Sequence, residues 1–178
     1  MSALADVADV LERNGIAHAL IGAAALAVHG LARATADIDL LSADVVCLND
    51  DMWNSLRTAG YSVECRRGDA DDPLAGVVRA ESSDGETVDV IVGRDAWQRP
   101  ALARAVTHRI GDADVPVVSA GDLVRLKLFA GGPQDAWDID QLLDLDPELE
   151  QQVIAALHEL PTDAVKLWET ILVRRRGG

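Results

Sequence analysis

The change of pattern at Ser119 is the feature that most constrains the fold of this chain. Before it, short apolar runs alternate with helical stretches, whereas residues 120–173 have helical spacing throughout. Strands that precede a wholly helical segment favour an α+β fold over a doubly wound sheet. We therefore expect a mixed β-sheet with flanking helices over residues 1–118. A helical segment, residues 119–178, is expected to pack on that core as part of one compact unit.

The individual elements follow from apolar periodicity and from glycine and proline stops. Expected helices cover residues 2–14, 23–28, 49–59, 95–105, 120–130, 134–144, 147–159 and 162–173. Expected strands cover residues 16–21, 37–41, 61–66, 76–80, 87–92, 106–110 and 115–118. A turn at residues 83–86 predicts that the strands on either side of it form a hairpin. The four tryptophans are expected to pack in the interior.

Composition excludes some classes of function. The formal net charge is −14 at pH 7, and an acidic surface repels nucleic-acid phosphates, so sequence-nonspecific binding of DNA or RNA is not expected. The N-terminus lacks a signal-peptide pattern, and the longest apolar stretch, residues 19–28, is far shorter than the ~20 residues of a spanning helix. We expect a cytoplasmic protein without membrane contact, with Cys47 and Cys65 reduced.

Three aspartates are candidates for metal chemistry. Asp37 and Asp39 flank Ile38 in an apolar strand, so their side chains share one face. Neighbouring carboxylates repel each other, and a divalent cation removes this cost. Asp89 is the single acid of another apolar run. If the two strands are neighbours, the three carboxylates converge in one cation-sized cluster; otherwise Asp89 faces solvent on an antiparallel sheet.

Two further features favour a phosphate-binding site. Gly22 ends an apolar strand and precedes a helix of very small residues that begins at Ala23. Free amides at a helix start can bind phosphate, although an ordinary alanine-rich helix packed on a sheet explains the same pattern. Lys127 lies on or beside the apolar face of the helix at residues 120–130. It either reaches a triphosphate or extends its ammonium group to water.

The order Ile21-Gly22-Ala23, Asp37-Ile38-Asp39 and then Asp89 resembles the nucleotidyltransferase superfamily, which includes DNA polymerase beta and antibiotic nucleotidyltransferases. Members have an apolar residue, glycine, then glycine or serine, a short helix, Asp-x-Asp or Asp-x-Glu, and a third acid on a later strand. Residues 33–39, 118–127 and 135–139 also resemble small bacterial AbiE-type toxins. Ala23 departs from the pattern because it keeps the backbone amide but supplies no hydroxyl.

The resemblance implies a mixed-sheet nucleotidyltransferase core, an enzyme that uses Mg²⁺ or Mn²⁺, and transfer of a nucleoside monophosphate from an NTP to a hydroxyl. Metal ligands would be Asp37, Asp39 and Asp89, and Lys127 would complete the catalytic set. Nucleotide-binding residues would be Gly22, Ala23, Arg33, Thr35, Lys127 and Asp138, with Asp135 the competitor of Asp138.

The acceptor is left open between tRNA, a protein and a small molecule. An RNA acceptor would need clustered arginines, such as residues 66–67 or 174–176, near the site. The alternatives are a catalytically inactive binding module of the same fold and a toxin component with an antitoxin partner. An unrelated α+β interaction domain would leave the acids exposed.

Overall fold

The computed structural model describes residues 2–32 and 37–177. The strands are β1 (His18–Ile21), β2 (Asp37–Ser42), β3 (Ser62–Arg67), β4 (Leu74–Glu81), β5 (Thr87–Gly93), β6 (Val106–Ile110) and β7 (Ala113–Val117). The α-helices are α1 (Ala3–Arg13), α2 (Gly22–Val28), α3 (Asn54–Thr58), α4 (Gln98–Ala103), α5 (Ala120–Ala130), α6 (Pro133–Leu145), α7 (Leu149–Ala156) and α8 (Thr162–Gly177). Short 3₁₀ helices cover Val45–Leu48, Asp50–Trp53 and Leu157–Glu159.

The strands form one mixed seven-stranded sheet in the order β3-β4-β5-β2-β1-β7-β6. β2 runs parallel to β5 and β1 runs parallel to β7, whereas the other neighbouring strands are antiparallel. The α+β class and the mixed sheet predicted from the sequence are therefore confirmed. β4 and β5 form the expected hairpin.

One face of the central strands is apolar and the other is polar, as the two-residue period of a strand requires. The buried face carries Leu40, Val78, Ala80, Val88, Val90 and Val92. Helix α1 packs on β4, β5 and β7 through its own buried stripe, which includes Leu4, Val7 and Leu11. The opposite face of β3 and β4 carries exposed polar side chains such as Glu64 and Arg79. That polar face is where the predicted acids lie.

The described chain divides into two compact units. The first contains residues 2–25 and 37–118, and the second contains residues 26–32 and 119–177. Helix α2 begins in the first unit and ends in the second. In the second unit, α5 packs against α6, α7 and α8. Its core consists mainly of Leu123, Leu128, Ile139, Leu142, Val153, Trp168 and Ile171.

Two expectations about local structure are wrong. The helix expected at residues 49–59 is split into a 3₁₀ turn and α3, and the indole of Trp53 is anchored by donating to the Cys47 carbonyl at 2.7 Å. Trp137 is 58% exposed, unlike Trp53, Trp97 and Trp168, because it lies on α6 opposite the buried stripe that includes Ile139. Within residues 2–32 and 37–177, no helix is both long and apolar enough to cross a bilayer.

Candidate functional site

Two of the three predicted acids lie directly side by side. Asp39 of β2 and Asp89 of β5 are paired residues of neighbouring parallel strands, and Asp37 pairs with Thr87 one step along the same face. The predicted adjacency of the two strands is therefore confirmed. Asp89 is only 7% exposed, so the alternative that it faces solvent is wrong. Asp37, at the start of β2, is exposed.

Gly22 lies in direct contact with the Asp39 side chain. Its backbone has φ +64°, and a Cβ atom built on it would lie 2.1 Å from the Asp39 Oδ2 atom. The carboxylate therefore packs directly against the Gly22 backbone, at the point where β1 ends and α2 begins. Only glycine satisfies both the left-handed backbone and this close approach. The sequence predicted Gly22 for phosphate binding and did not anticipate this packing role.

Arg79 of β4 is a site residue that the sequence analysis missed. It stands opposite Asp89 in the β4–β5 hairpin, and its Nε and Nη2 atoms donate to Oδ1 and Oδ2 of Asp89 at 2.8 and 2.6 Å. This two-bond geometry uses both oxygens of the carboxylate. The hydrogen bonds and the charge of Asp89 raise the pKa of the Arg79 guanidinium above its ordinary value. Arg79 therefore places a positive charge directly beside Asp89.

The fit of these residues to a divalent cation is partial. Carboxylate oxygens are the ligands that Mg²⁺ and Mn²⁺ prefer, and Asp37, Asp39 and Asp89 share one sheet face. Within the described part of the chain, however, no three side chains of the ligand-bearing types come close enough to hold a metal ion together. The expected cation-sized cluster of three carboxylates is thus not formed. The Asp89 carboxylate is held by Arg79 instead.

Lys127 lies in the second unit and is buried rather than extended to water, so the snorkelling alternative is wrong. Its side chain is 8% exposed, and its Nζ donates to Asp138 at 2.6 Å and to Asp135 at 3.0 Å. The Asp138 side chain is 1% exposed. Asp135 also accepts a hydrogen bond from the Gly132 amide at 3.0 Å, which caps α6. The ion pairs of Lys127 with Asp135 and Asp138 therefore connect α5 to the first turns of α6.

The remaining predicted residues are placed as follows. Ala23 lies half-buried in the first turn of α2, directly after Gly22. Arg33 and Thr35 lie outside the described residues. The first unit therefore brings together Gly22, Ala23, Asp37, Asp39 and Asp89, whereas Lys127, Asp135 and Asp138 form a group of their own in the second unit.

The fold is similar to that of solved nucleotidyltransferase structures. An antigenic nucleotidyltransferase-like protein from Paracoccidioides brasiliensis matches with a TM-score of 0.51 and 20% identity, over 92% of this chain and 88% of that one. The lincosamide antibiotic adenylyltransferase LnuA, solved with lincomycin bound, matches with a TM-score of 0.48 and 15% identity, over 78% of this chain and 93% of that one. ANT(2")-Ia, solved in complex with adenylyl-2"-tobramycin, matches with a TM-score of 0.44 and 14% identity, over 95% and 94%.

The likeness to the Paracoccidioides protein shows that the chain has a nucleotidyltransferase-like fold. No protein-family model matches the sequence, and no curated protein matches it significantly.

Proposed function

We propose that the chain is a nucleotidyltransferase that moves a nucleoside monophosphate from an NTP to a hydroxyl acceptor. The observation that carries the proposal is the placement of Asp39 beside Asp89 on one sheet face, with Gly22 packed against the Asp39 carboxylate. Two adjacent carboxylates on neighbouring strands repel each other, and a bound divalent cation lowers this cost further than the Arg79 guanidinium alone. The nucleotidyltransferase-like fold supports the same function.

In this proposal, Asp37 and Asp39 would hold Mg²⁺ or Mn²⁺, which supplies charge neutralisation for a triphosphate when it is bound. Gly22 fixes the position of the Asp39 carboxylate. Asp89, buried at the same face, orients the acceptor hydroxyl and takes its proton at a carboxylate oxygen. Each Asp89 oxygen accepts one hydrogen bond from Arg79 and has a second lone pair, so the carboxylate can accept the proton while the pair stays in place.

The phosphates of the NTP would be bound by the backbone amides of Gly22 and Ala23 together with Arg33 and Thr35. The backbone amide of residue 23 is present with any side chain except that of proline, so Ala23 preserves this hydrogen-bond donor. Lys127 and Asp138 are kept in the nucleotide-binding set as predictions from the sequence resemblance. The Nζ of Lys127 has three N–H donors and gives two of them to Asp135 and Asp138, so it would bind a phosphate oxygen through the third or by exchanging Asp135.

A second candidate is a binding module of the same fold without catalytic activity, such as a toxin component held by an antitoxin. The engagement of both Asp89 oxygens by Arg79 favours this candidate, because it leaves no three-acid metal site within the described residues. The AbiE-type relationship, the antitoxin partner and the cytoplasmic location remain predictions from the sequence.

The experiment that separates the two candidates follows label from each alpha-labelled NTP, with Mg²⁺ or Mn²⁺, into tRNA, the protein itself and hydroxylated small molecules. Asp39→Asn should reduce transfer by orders of magnitude, since it removes charge from the site and preserves shape. Asp84→Asn is the matched control, because Asp84 is an exposed acid in the β4–β5 turn. If no label moves and calorimetry detects no metal-dependent NTP binding, catalysis is the wrong conclusion.

A further inference from the structure

The edge of the sheet formed by β6 (Val106–Ile110) is open to solvent. β6 is the last strand of the sheet, and its neighbour there is β7. Four of its five residues are exposed, and Val106 is 63% exposed although it is apolar. An open strand edge presents unpaired N–H and C=O groups that another strand can bond. Such an edge needs either protection or a partner.

The opposite edge of the sheet, β3, has such protection. β3 carries three charged side chains, and the Arg57 guanidinium of α3 donates to its Val63 carbonyl at 3.1 Å. Charged side chains and covering groups are common defences of edge strands. β6 contains no acidic residue, lysine or proline. Its single arginine, Arg109, is already paired with Asp114 of β7 at 2.9 Å.

The register of the β6–β7 hairpin shows which backbone groups face the open edge. Residues 111–112 form a two-residue turn that is closed by the pair Ile110 and Ala113. The closing pair of such a turn exchanges hydrogen bonds, and hydrogen-bonded and non-hydrogen-bonded pairs then alternate along the strands. Thr107 and Arg109 consequently belong to non-hydrogen-bonded pairs. Their N–H and C=O groups point away from β7, towards the open edge.

Pro116 supports the same assignment. It lies opposite Thr107, and proline has no N–H to donate. A proline at a non-hydrogen-bonded position removes no bond from the β6–β7 ladder. Two residues along the chain, the Val118 amide donates to the Leu20 carbonyl of β1 at 3.2 Å. Residues 116 and 118 therefore turn their backbone groups towards β1 and not towards β6.

We propose that β6 is a self-association edge, at which two copies of the chain join their sheets through antiparallel β6 strands about a two-fold axis at His108. In this register, Thr107 of each copy lies opposite Arg109 of the other. Each of the two pairs exchanges two hydrogen bonds, so all the outward groups of both strands are satisfied. A two-fold axis uses the same patch on both copies, and this strand is complementary to itself in that arrangement.

The side chains of β6 also suit a second copy. On one face, Val106 of each copy lies opposite Ile110 of the other, so an exposed apolar side chain gains an apolar neighbour. On the other face, Arg109 lies beside a threonine and keeps its bond to Asp114. Because β6 has no acidic side chain, the strand adds no negative charge to a contact between two copies of a chain with net charge −14.

The expected dimer is weak and reversible. Two five-residue strands bury little surface, and interfaces below ~1,200 Å² belong to the weak class. We therefore expect a dissociation constant between roughly 10 µM and 1 mM. Added salt should tighten the dimer, because it screens the repulsion between two acidic copies.

The register is tested by disulfide formation in the full chain. His108 lies opposite its own copy in a non-hydrogen-bonded pair, where Cα atoms are ~4.5 Å apart and within reach of a disulfide. With oxidised glutathione as oxidant, His108→Cys should form the cross-linked dimer at least about tenfold faster than Thr107→Cys. Thr107→Cys is the matched control, because the two copies of that residue are diagonal neighbours, more than ~7 Å apart. The wild-type chain, with Cys47 and Cys65, gives the background.

The backbone pairing is tested by sedimentation velocity over a range of concentrations. Thr107→Pro removes an outward N–H and no bond of the hairpin, so it should fold normally and dimerise at least about tenfold more weakly. Thr107→Val, which keeps the N–H, is the control. In hydrogen exchange of the wild-type chain, the Thr107 and Arg109 amides should gain protection as concentration rises. The His108 amide, bonded within the hairpin, should be protected at every concentration.

Several results would overturn the proposal. A chain that stays monomeric at high concentration and high salt would leave the edge to a different partner or to none. A dimer that Thr107→Pro leaves intact would have its interface elsewhere, and equal cross-linking of Thr107→Cys and His108→Cys would exclude the register. Protection of the Thr107 and Arg109 amides in the monomer would mean that the chain covers its own edge. None of these measurements depends on nucleotide transfer, so the two proposals fail separately.

Discussion

Arg79 and Asp89 face each other across the β4–β5 hairpin and share two hydrogen bonds of 2.8 and 2.6 Å. On its other side, Asp89 is paired with Asp39 in β2. The row Arg79–Asp89–Asp39 thus places one positive charge beside two negative charges on a single sheet face. Removal of the arginine would take away the guanidinium that both Asp89 oxygens bond, and this relationship leads to the first prediction.

Arg79→Met should lower the midpoint of thermal unfolding, and added Mg²⁺ should restore part of the loss. The physical reason is that Asp89 is buried and would lose the guanidinium that bonds both of its oxygens. Differential scanning calorimetry with and without Mg²⁺ measures both effects. Arg66→Met is the control, since the ion pair of Arg66 with Glu64 is exposed on both sides. An unchanged midpoint in Arg79→Met would mean that the pair has no structural role.

Gly22→Ala should destabilise the chain and displace the Asp39 carboxylate. Gly15→Ala provides a matched control, since Gly15 has φ +68° and nothing within 4 Å of a built Cβ atom. Both variants lose about 1 kcal/mol or more from the left-handed backbone. Gly22→Ala should lose more, because its Cβ atom would also collide with Asp39. Urea unfolding compares the two losses, and equal losses would show that Asp39 moves away without cost.

Lys127→Ala should cost roughly 3 kcal/mol of unfolding free energy, because it removes a buried ion-pair partner of the Asp138 carboxylate. Lys166→Ala is the control, since Lys166 pairs with Asp163 at the surface. Denaturant unfolding gives both values. A small stability loss together with weaker NTP binding would instead indicate that Lys127 serves the nucleotide and not the fold.

Cys65 should react slowly with iodoacetamide in the native protein. Burial, followed by a hydrogen bond with Asp50, raises the pKa of its thiol from 9.0 to about 11. A raised pKa leaves the thiol protonated at pH 8, so the reactive thiolate is about a hundredfold scarcer than in an unperturbed cysteine. The alkylation rate should keep rising up to about pH 11. A plateau near pH 9 would contradict this, and urea-unfolded protein supplies the reference rate.

Local patterns in the sequence predicted most elements well, because apolar periodicity and glycine stops are local properties. The helix expected at residues 120–130 is α5 (Ala120–Ala130), and the strand expected at residues 106–110 is β6 (Val106–Ile110). The adjacency of Asp39 and Asp89 was predicted only as one of two outcomes. Which strands become neighbours is decided by packing of the whole sheet, and no local pattern encodes it.

The Arg79–Asp89 pair shows why part of the site could not be predicted. A four-residue turn at residues 83–86 would place Ala80 opposite Asp89. In the structure the Ser82 amide donates to the Glu86 carbonyl at 2.9 Å, which shortens the loop to three residues and brings Arg79 opposite Asp89. A slip of one residue exchanges the two faces of a strand. Arg79 is thus the partner of Asp89 because of the length of the β4–β5 turn, which the sequence pattern did not predict.

The discontinuity of the second unit has a consequence for synthesis on the ribosome. Residues 26–32 belong to that unit, yet they leave the exit tunnel long before residues 119–177, which complete it. Leu26 is buried in the folded protein. In the nascent chain it remains exposed until the residues of the second unit that cover it have been synthesised. A ribosome stalled after residue 118 should display a chain in which the segment at residues 26–32 is still open to proteases and chaperones.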